Sequence, residues 1–275
     1  MGRSQQSLSE LQIARRIKDG RGQGVGKKYT PWLYVQDVPS EGRSHRVYSH
    51  KTGRIHPLLS DLELAAFLVF EWAPHIVDIK EQFPLRRDET QAIAKDNRLR
   101  HPSIRGVDQV MSSDFLVDSR IGPHRQFAVQ VKSSESFDDT STIEKLEIER
   151  RYWLSKQILW FLVTEHEIDP VIKQNISWLY PTKSDGLIDV ELIQQLPILE
   201  SAFSKSPQSK MNDVCKQMDT AYDLELGQTL RDVRTLIANG YLKFNMLQTY
   251  RVLTASDLVF CPFSDIEDLL HVANQ

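Results

Sequence analysis

Between Ser60 and Glu165 the spacing of apolar side chains switches from a helical period to a two-residue period and back, which confines this stretch to an α/β unit. Ser60, followed three residues later by Glu63, is a capping-box signature, and a helix runs from it through Leu64, Phe67, Leu68 and Trp72 to Pro74. Residues 76–85 are strand-like, with Pro84 closing the strand. Two further short strands follow at 113–117 and 127–132, separated by a Gly122-Pro123 turn. A strongly charged helix at 142–157 leads into 158–164, a continuous apolar run of the kind a buried strand carries. The order is helix, three strands, helix, strand.

Past Pro170 the pattern changes. Residues 190–196, 212–222 and 229–239 read as helices, Gly240 as a C-terminal cap, 204–210 as a polar linker, and 241–246 and 258–260 as short strands. Three helices followed by a β-ribbon is the outline of a winged helix, with Arg231, Arg234 and Lys243 available to face a partner. Since 275 residues are many for one core, two domains are expected, 1–168 with a basic arm and the α/β unit, and 169–275, smaller and winged-helix-like. The best apolar run, 62–72, is interrupted by Glu63 and Glu71 and falls short of the ~18 residues a membrane helix needs. The N-terminus lacks a signal-peptide core, so the expected location is the cytoplasm and no membrane is involved. Cys215 and Cys261 are too few for a disulfide framework and are expected to be free thiols.

A formal charge of −3 hides an asymmetry: residues 1–60 hold eleven Lys/Arg against four Asp/Glu, and the rest 23 against 33. A basic first fifth on an acidic chain points to a polyanion on one side. Ser7 or Ser9 can cap a helix over 10–18, whose apolar stripe is Leu11, Ile13, Ala14 and Ile17, and irregular chain is expected after it. The glycine-rich run after Gly20 fails as a phosphate-binding P-loop, because Arg21 stands where the first glycine is needed and Lys28 follows Lys27 in place of Ser or Thr. A flexible basic arm against a nucleic-acid backbone fits it better. No His-Glu-x-x-His occurs; His45, His50 and His56 are irregularly spaced and read as DNA-facing or structural, which removes a zinc hydrolase.

The chemistry concentrates in Phe127-Ala128-Val129-Gln130-Val131-Lys132. Alternation puts Phe127, Val129 and Val131 on one side of a strand, and Gln130 and Lys132 on the other. Asp114 lies early in the preceding strand, where two strands can splay into a cleft, and Glu63 opens the first helix of the unit. Two carboxylates and an amide oxygen suit Mg²⁺, which takes hard oxygen ligands. A cation such as Lys132 beside the metal could position a water or stabilise charge at phosphorus. Taken singly, each of the four has a structural reading as cap, strand start or solvent face; their order along the unit is harder to dismiss.

In that order, Glu63, Asp114 and Gln130-Val131-Lys132 resemble the PD-(D/E)xK superfamily of restriction-endonuclease-like nucleases, with Gln130 where Asp or Glu is usual. Longer stretches, 11–18, 48–54, 59–64, 105–112, the helix from Glu144 through Trp153, and 221–227, are similar to the TnsA family, the endonuclease subunits of heteromeric bacterial cut-and-paste transposases. The resemblance implies an α/β restriction-endonuclease-like domain, a mixed sheet flanked by helices, followed by a winged-helix variant. It implies a DNA endonuclease that cuts the 5′ strand at transposon ends beside a TnsB-type DDE transposase, which handles the 3′ strand. A TnsC-type ATP-dependent regulator would be met through the C-terminal domain. The active site would be Glu63, Asp114, Gln130 and Lys132, with two Mg²⁺ ions (Mn²⁺ tolerated) held by Glu63, Asp114, Gln130 and the Val131 carbonyl. Glu149, on the following helix, is a candidate for lining the site, but beside Arg150 and Arg151 it reads more simply as a salt-bridged surface residue.

Gln130 offers an oxygen without a charge, so the metal should be held weakly; the hypothesis is that this keeps the lone subunit idle until DNA and partners complete the site. Nicking by a Gln130→Glu variant on its own would support that, and undiminished partner dependence would contradict it. Two other readings stand beside the transposition one: a free-standing restriction or repair nuclease, active alone, and a non-enzymatic winged-helix DNA-binding adaptor, indifferent to alanine at Asp114.

Overall fold

A computed structural model describes residues 8–38, 43–123, 125–184 and 189–261. The chain divides into two compact units, Met1–Ile168 and Asp169–Gln275. In the first, α1 (Glu10–Lys18) is followed by β1 (His45–Ser49), β2 (Arg54–Leu58), α2 (Asp61–Trp72) and β3 (Ile76–Pro84). Next come α3 (Arg87–Asp96), the short β4 (Ser103–Ile104) and β5 (Val107–Asp108), then β6 (Ser112–Ser119), β7 (Gln126–Val131), α4 (Thr140–Ser155) and β8 (Leu159–Val163). Four strands form a mixed sheet in the order β3-β6-β7-β8, antiparallel except for the β7–β8 pair. Parallel pairing requires a crossover, and α4 supplies it.

Helices cover both faces of this sheet. Phe70 of α2 meets Phe115 edge-on at 5.6 Å and Phe127 at 6.1 Å, and Phe127 meets Phe161 at 5.8 Å. On the opposite face Leu116 and Ala128 pack with Ala94 of α3 and with Ile148, Tyr152 and Trp153 of α4. One expectation changes here, and α3 and a small hairpin are elements that the sequence pattern did not give. The run at 158–164 is not a buried strand: β8 lies at the end of the sheet, with Leu159 42 % and Phe161 46 % exposed. Among the described residues β8 pairs with β7 alone, which leaves it at the edge of the sheet. Between Asp96 and Ser112 the chain also forms a small hairpin, turned by Arg105 and Gly106 at φ 54° and 77°.

The first sixty residues are more regular than a helix and irregular chain. β1 and β2 pair as a hairpin, closed through Gly53 at φ 64°, whose N–H donates to the Ser49 carbonyl at 2.9 Å. Ser9 caps α1 with a full capping box, while Ser7 lies outside the described residues. The expected apolar stripe of α1 faces the wrong way: Ile13 is buried, but Leu11 is 84 % exposed and the buried companion is Arg16, salt-bridged to Asp37 at 3.0 Å. Gly22, after α1, has a packing role. Gly22 sits against Pro84, where a Cβ would lie 2.1 Å from Cγ, and the loop is closed by Gly22 N–H to the Thr30 carbonyl and Thr30 N–H to the Gln23 carbonyl. Lys27 and Lys28 stay exposed. His56 is fully buried, with Nδ1 2.7 Å from Glu81 Oε2.

The second unit holds α5 (Pro170–Leu179), α6 (Val190–Gln194), α7 (Leu196–Lys205), α8 (Met211–Ala221) and α9 (Gln228–Ala238). β9 (Leu242–Lys243) and β10 (Val259–Phe260) form an antiparallel ribbon. Among the described residues there are thus five helices where the pattern gave three. α5 went unread although Asp169 and Pro170 announce it: Asp169 accepts from the Val171 N–H at 2.7 Å. Gly240, at φ 88°, ends α9 as expected, and the Tyr241 N–H reaches back to the Leu236 carbonyl at 2.9 Å. Arg234 is not available to a partner, since it lies over the Trp178 ring at 5.1 Å and donates to the Trp178 carbonyl at 2.5 Å. Arg231 bonds Glu225 at 2.9 Å, and Lys243 is exposed. Cys215 and Cys261 are free thiols. Among the described residues no helix is long and apolar enough to cross a membrane.

Candidate active site

Ser60 caps α2, its hydroxyl accepting from the Glu63 N–H at 3.0 Å. The reciprocal half of the capping box does not form. The Glu63 carboxylate accepts instead from the Leu59 N–H at 3.0 Å and the Ser60 hydroxyl at 3.2 Å, and it is turned inward, 6 % exposed. Burial, then the Asp114 carboxylate, push its pKa up to about 8, against the pull of Leu59, Lys132 and Ser60.

Asp114 stands where the β6–β7 ladder gives out. Pairing runs from Asp118↔Gln126 to Phe115↔Val129 and stops. Past that point side chains bridge the gap: the Asp114 N–H donates to Gln130 Oε1 at 3.2 Å, and Asp114 Oδ2 accepts from the Val131 N–H at 2.8 Å. Lys132 Nζ lies 3.9 Å from the same Oδ2. Burial, the largest influence on Lys132, lowers its pKa, but Asp114, Glu63 and Glu149 together prevail and raise it, so the group stays a cation. Glu63, from another element, reaches Asp114 through a residue that sequence reasoning passed over. Gln82 donates from Nε2 to Asp114 Oδ1 at 3.1 Å and to Glu63 Oε2 at 3.5 Å. Glu63 and Asp114, two of the four residues expected from the sequence, are therefore bridged by a fifth, while Gln130 and Lys132 approach Asp114 from β7 and just beyond it.

Glu149 corrects a further expectation. It is buried at 3 % exposure and pairs with neither Arg150 nor Arg151, both of which bond Glu147. Its Oε1 accepts from the Ser113 hydroxyl at 2.6 Å and the Trp160 Nε1–H at 2.9 Å, and Trp153 Nε1–H donates to Ser113 at 2.7 Å. Burial pushes its carboxyl up to about 8. The signal was there, since Leu146, Glu149 and Trp153 fall at helical spacing on the buried stripe of α4. Its partner was harder to foresee. Strict alternation puts Ser113 with Phe115 on the α2 side, yet at the splayed end of β6 it touches α4.

A cleft of about 660 Å³ runs alongside, its lining including Ser112, Gln130, Lys132, Glu149, His101 and Lys145. Glu63, Asp114 and Gln130 offer oxygens, the donor type a hard divalent cation takes. Only two of them are carboxyl groups, and among the described residues no group of three or more His, Cys, Asp and Glu side chains is arranged to hold a metal ion. The set fits such an ion in kind, with less charge than a three-carboxylate site.

A family model described as TnsA-like endonuclease N terminal matches residues 73–165, and one described as TnsA endonuclease C terminal matches residues 167–246. Over 274 residues, covering 100% of both chains, the sequence is 55% identical to the transposon Tn7 transposition protein TnsA of Escherichia coli.

Proposed function

Since the chain belongs to the TnsA family of transposition endonucleases, we propose that it is the nuclease subunit that cuts the 5′ strand at transposon ends, using Mg²⁺. The observation that carries this is the convergence of Glu63, Asp114, Gln130 and Lys132, the last two of which line an open cleft. Glu63, Asp114, Gln130 and the Val131 carbonyl would hold the ions, with Mn²⁺ accepted in their place. Bound there, a divalent ion supplies an activated water and neutralises charge at the phosphorus.

The protein's own part is positional. The Val131 N–H fixes the Asp114 carboxylate, and Leu59 and Ser60 fix that of Glu63, so neither needs reorganising when charge develops. Lys132, kept cationic by three carboxylates and partly open to the cleft, would orient the attacking water or meet the negative charge on the transferred phosphate. The cleft between β7 and α4 would take the strand being cut, with Lys145 and His101 toward its phosphates.

The remaining roles belong to the same reading. A TnsB-type DDE transposase would process the 3′ strand. The second unit, read as a winged-helix variant because α9 leads into the β9–β10 ribbon, would meet a TnsC-type ATP-dependent regulator. Strand mapping tests the proposal: a transposon-end duplex labelled on either 5′ terminus is incubated with Mg²⁺, with and without the partner subunits. Breaks on the 5′ strand that depend on the partners are expected. Efficient cutting by the chain alone would favour a free-standing nuclease, and breaks confined to the 3′ strand would contradict the reading.

A further inference from the structure

Gln82 lies across from Asp114 on β3, between the pairs Glu81↔Phe115 and Phe83↔Ser113. It is 2 % exposed, and its φ of 48° falls in the left-handed region that side chains other than Gly, Asn and Asp seldom adopt. Such backbone persists only where its surroundings over-determine it, and it gathers at functional sites. The surroundings are explicit here. The Trp32 N–H donates to the Gln82 carbonyl at 3.1 Å, and the side-chain amide spans from the Ser112 hydroxyl, 3.1 Å from Oε1, to the two carboxylates at Nε2.

The chemistry at the two ends of that amide is not symmetrical. Ser112 carries a hydroxyl, which donates to an oxygen or accepts from an N–H with equal ease. Two facing carboxylates accept an N–H, but with a cation between them they call for an oxygen. An amide turned over about its last bond would satisfy both neighbours in either case. A carboxylate or a hydrocarbon in this place could not.

We infer that Gln82 is a further oxygen-bearing residue of the divalent-ion site, a neutral spacer that holds Glu63 and Asp114 together through Nε2 and offers Oε1 to an ion they share. This rests on the reading of Glu63 and Asp114 as ion ligands. The site then has two neutral side-chain oxygens, Gln82 and Gln130, beside two charged groups, and its ion affinity is tuned from β3 as well as from β7.

Mn²⁺ binding to the full-length protein tests this without turnover, by following the electron paramagnetic resonance signal of free Mn²⁺ in the absence of DNA. Gln82→Met removes both donor and oxygen and should weaken binding roughly tenfold, the low end for losing a residue that supports a metal site. Gln82→Glu, nearly the same shape, places a charged oxygen there permanently and should tighten binding relative to wild type. Far-UV circular dichroism confirms the fold, and if Gln82→Met does not fold, Gln82→Glu decides. Wild-type affinity in either variant, or weaker binding by Gln82→Glu, overturns the inference. Asp114→Ala separates the layers: if it binds Mn²⁺ like wild type, the ion-site reading fails and takes this inference with it. If it loses binding while the Gln82 variants keep theirs, Gln82 alone is misassigned.

Discussion

At the scale of single residues the site is a set of buried charges whose protonation is linked to stability. Burial raises the Glu149 carboxyl to about 8 from an ordinary 4.5, so the folded chain binds that proton more tightly than the unfolded chain does. The sign follows: the contribution is complete below the unfolded value, near pH 4.5, and is lost as pH rises through about 8. Glu63 adds to it with the same sign. Urea denaturation at a series of pH values between these limits should show stability falling by up to about 1.4 kcal/mol per pH unit for each such proton. Glu149→Gln keeps an acceptor for Ser113 and Trp160 and cannot ionise, so its slope should be shallower; parallel slopes would mean that Glu149 does not titrate in this range. At this scale Asp114, Gln130 and Lys132 were legible because they lie on adjacent strands. Gln82 was not, because only the backbone turn at φ 48° and the register against β6 bring its amide between the carboxylates.

Among elements, the β1–β2 hairpin and β3 are joined by a buried ion cluster. Arg54 reaches Glu81 at 2.5 and 2.6 Å and the Ile79 carbonyl at 2.8 Å, and Glu81 is fully buried. Burial, the largest influence, would raise the Glu81 pKa, yet the hydrogen bonds and charges of His56 and Arg54 hold it below the ordinary value. Removing one partner leaves an uncompensated charge in the interior, so Arg54→Met should cost about 3–5 kcal/mol of unfolding free energy. Denaturant midpoints read this, and a loss under 1 kcal/mol would show that Glu81 finds other partners. The hairpin was hard to read because the polar His45, Arg46, Arg54 and His56 mask the alternation that marks a strand. Of the elements from Ser60 onward, α2, β3, β6, β7 and α4 were legible because their apolar period is clean, α3, α5 and the β4–β5 hairpin were not read, and β8 misled: its apolar run records composition, and exposure depends on its place at the end of the sheet.

For the whole molecule, the proposal places chemistry in the first unit and association in the second. The family could be seen in sequence stretches spread along nearly the full length, and a relative 55% identical across both chains agrees with it. What sequence could not supply is the way Glu63 reaches Asp114, since they belong to elements that meet only in the fold. The central claim is that these groups form a hydrolytic centre. Its most direct test is Asp114→Ala in a transposon-end nicking assay with Mg²⁺ and the partner subunits present, alongside a gel-shift measurement of complex formation on the same DNA. The account predicts that nicking of the 5′ strand disappears while complex formation continues. Nicking at the wild-type rate by a folded Asp114→Ala protein would contradict it.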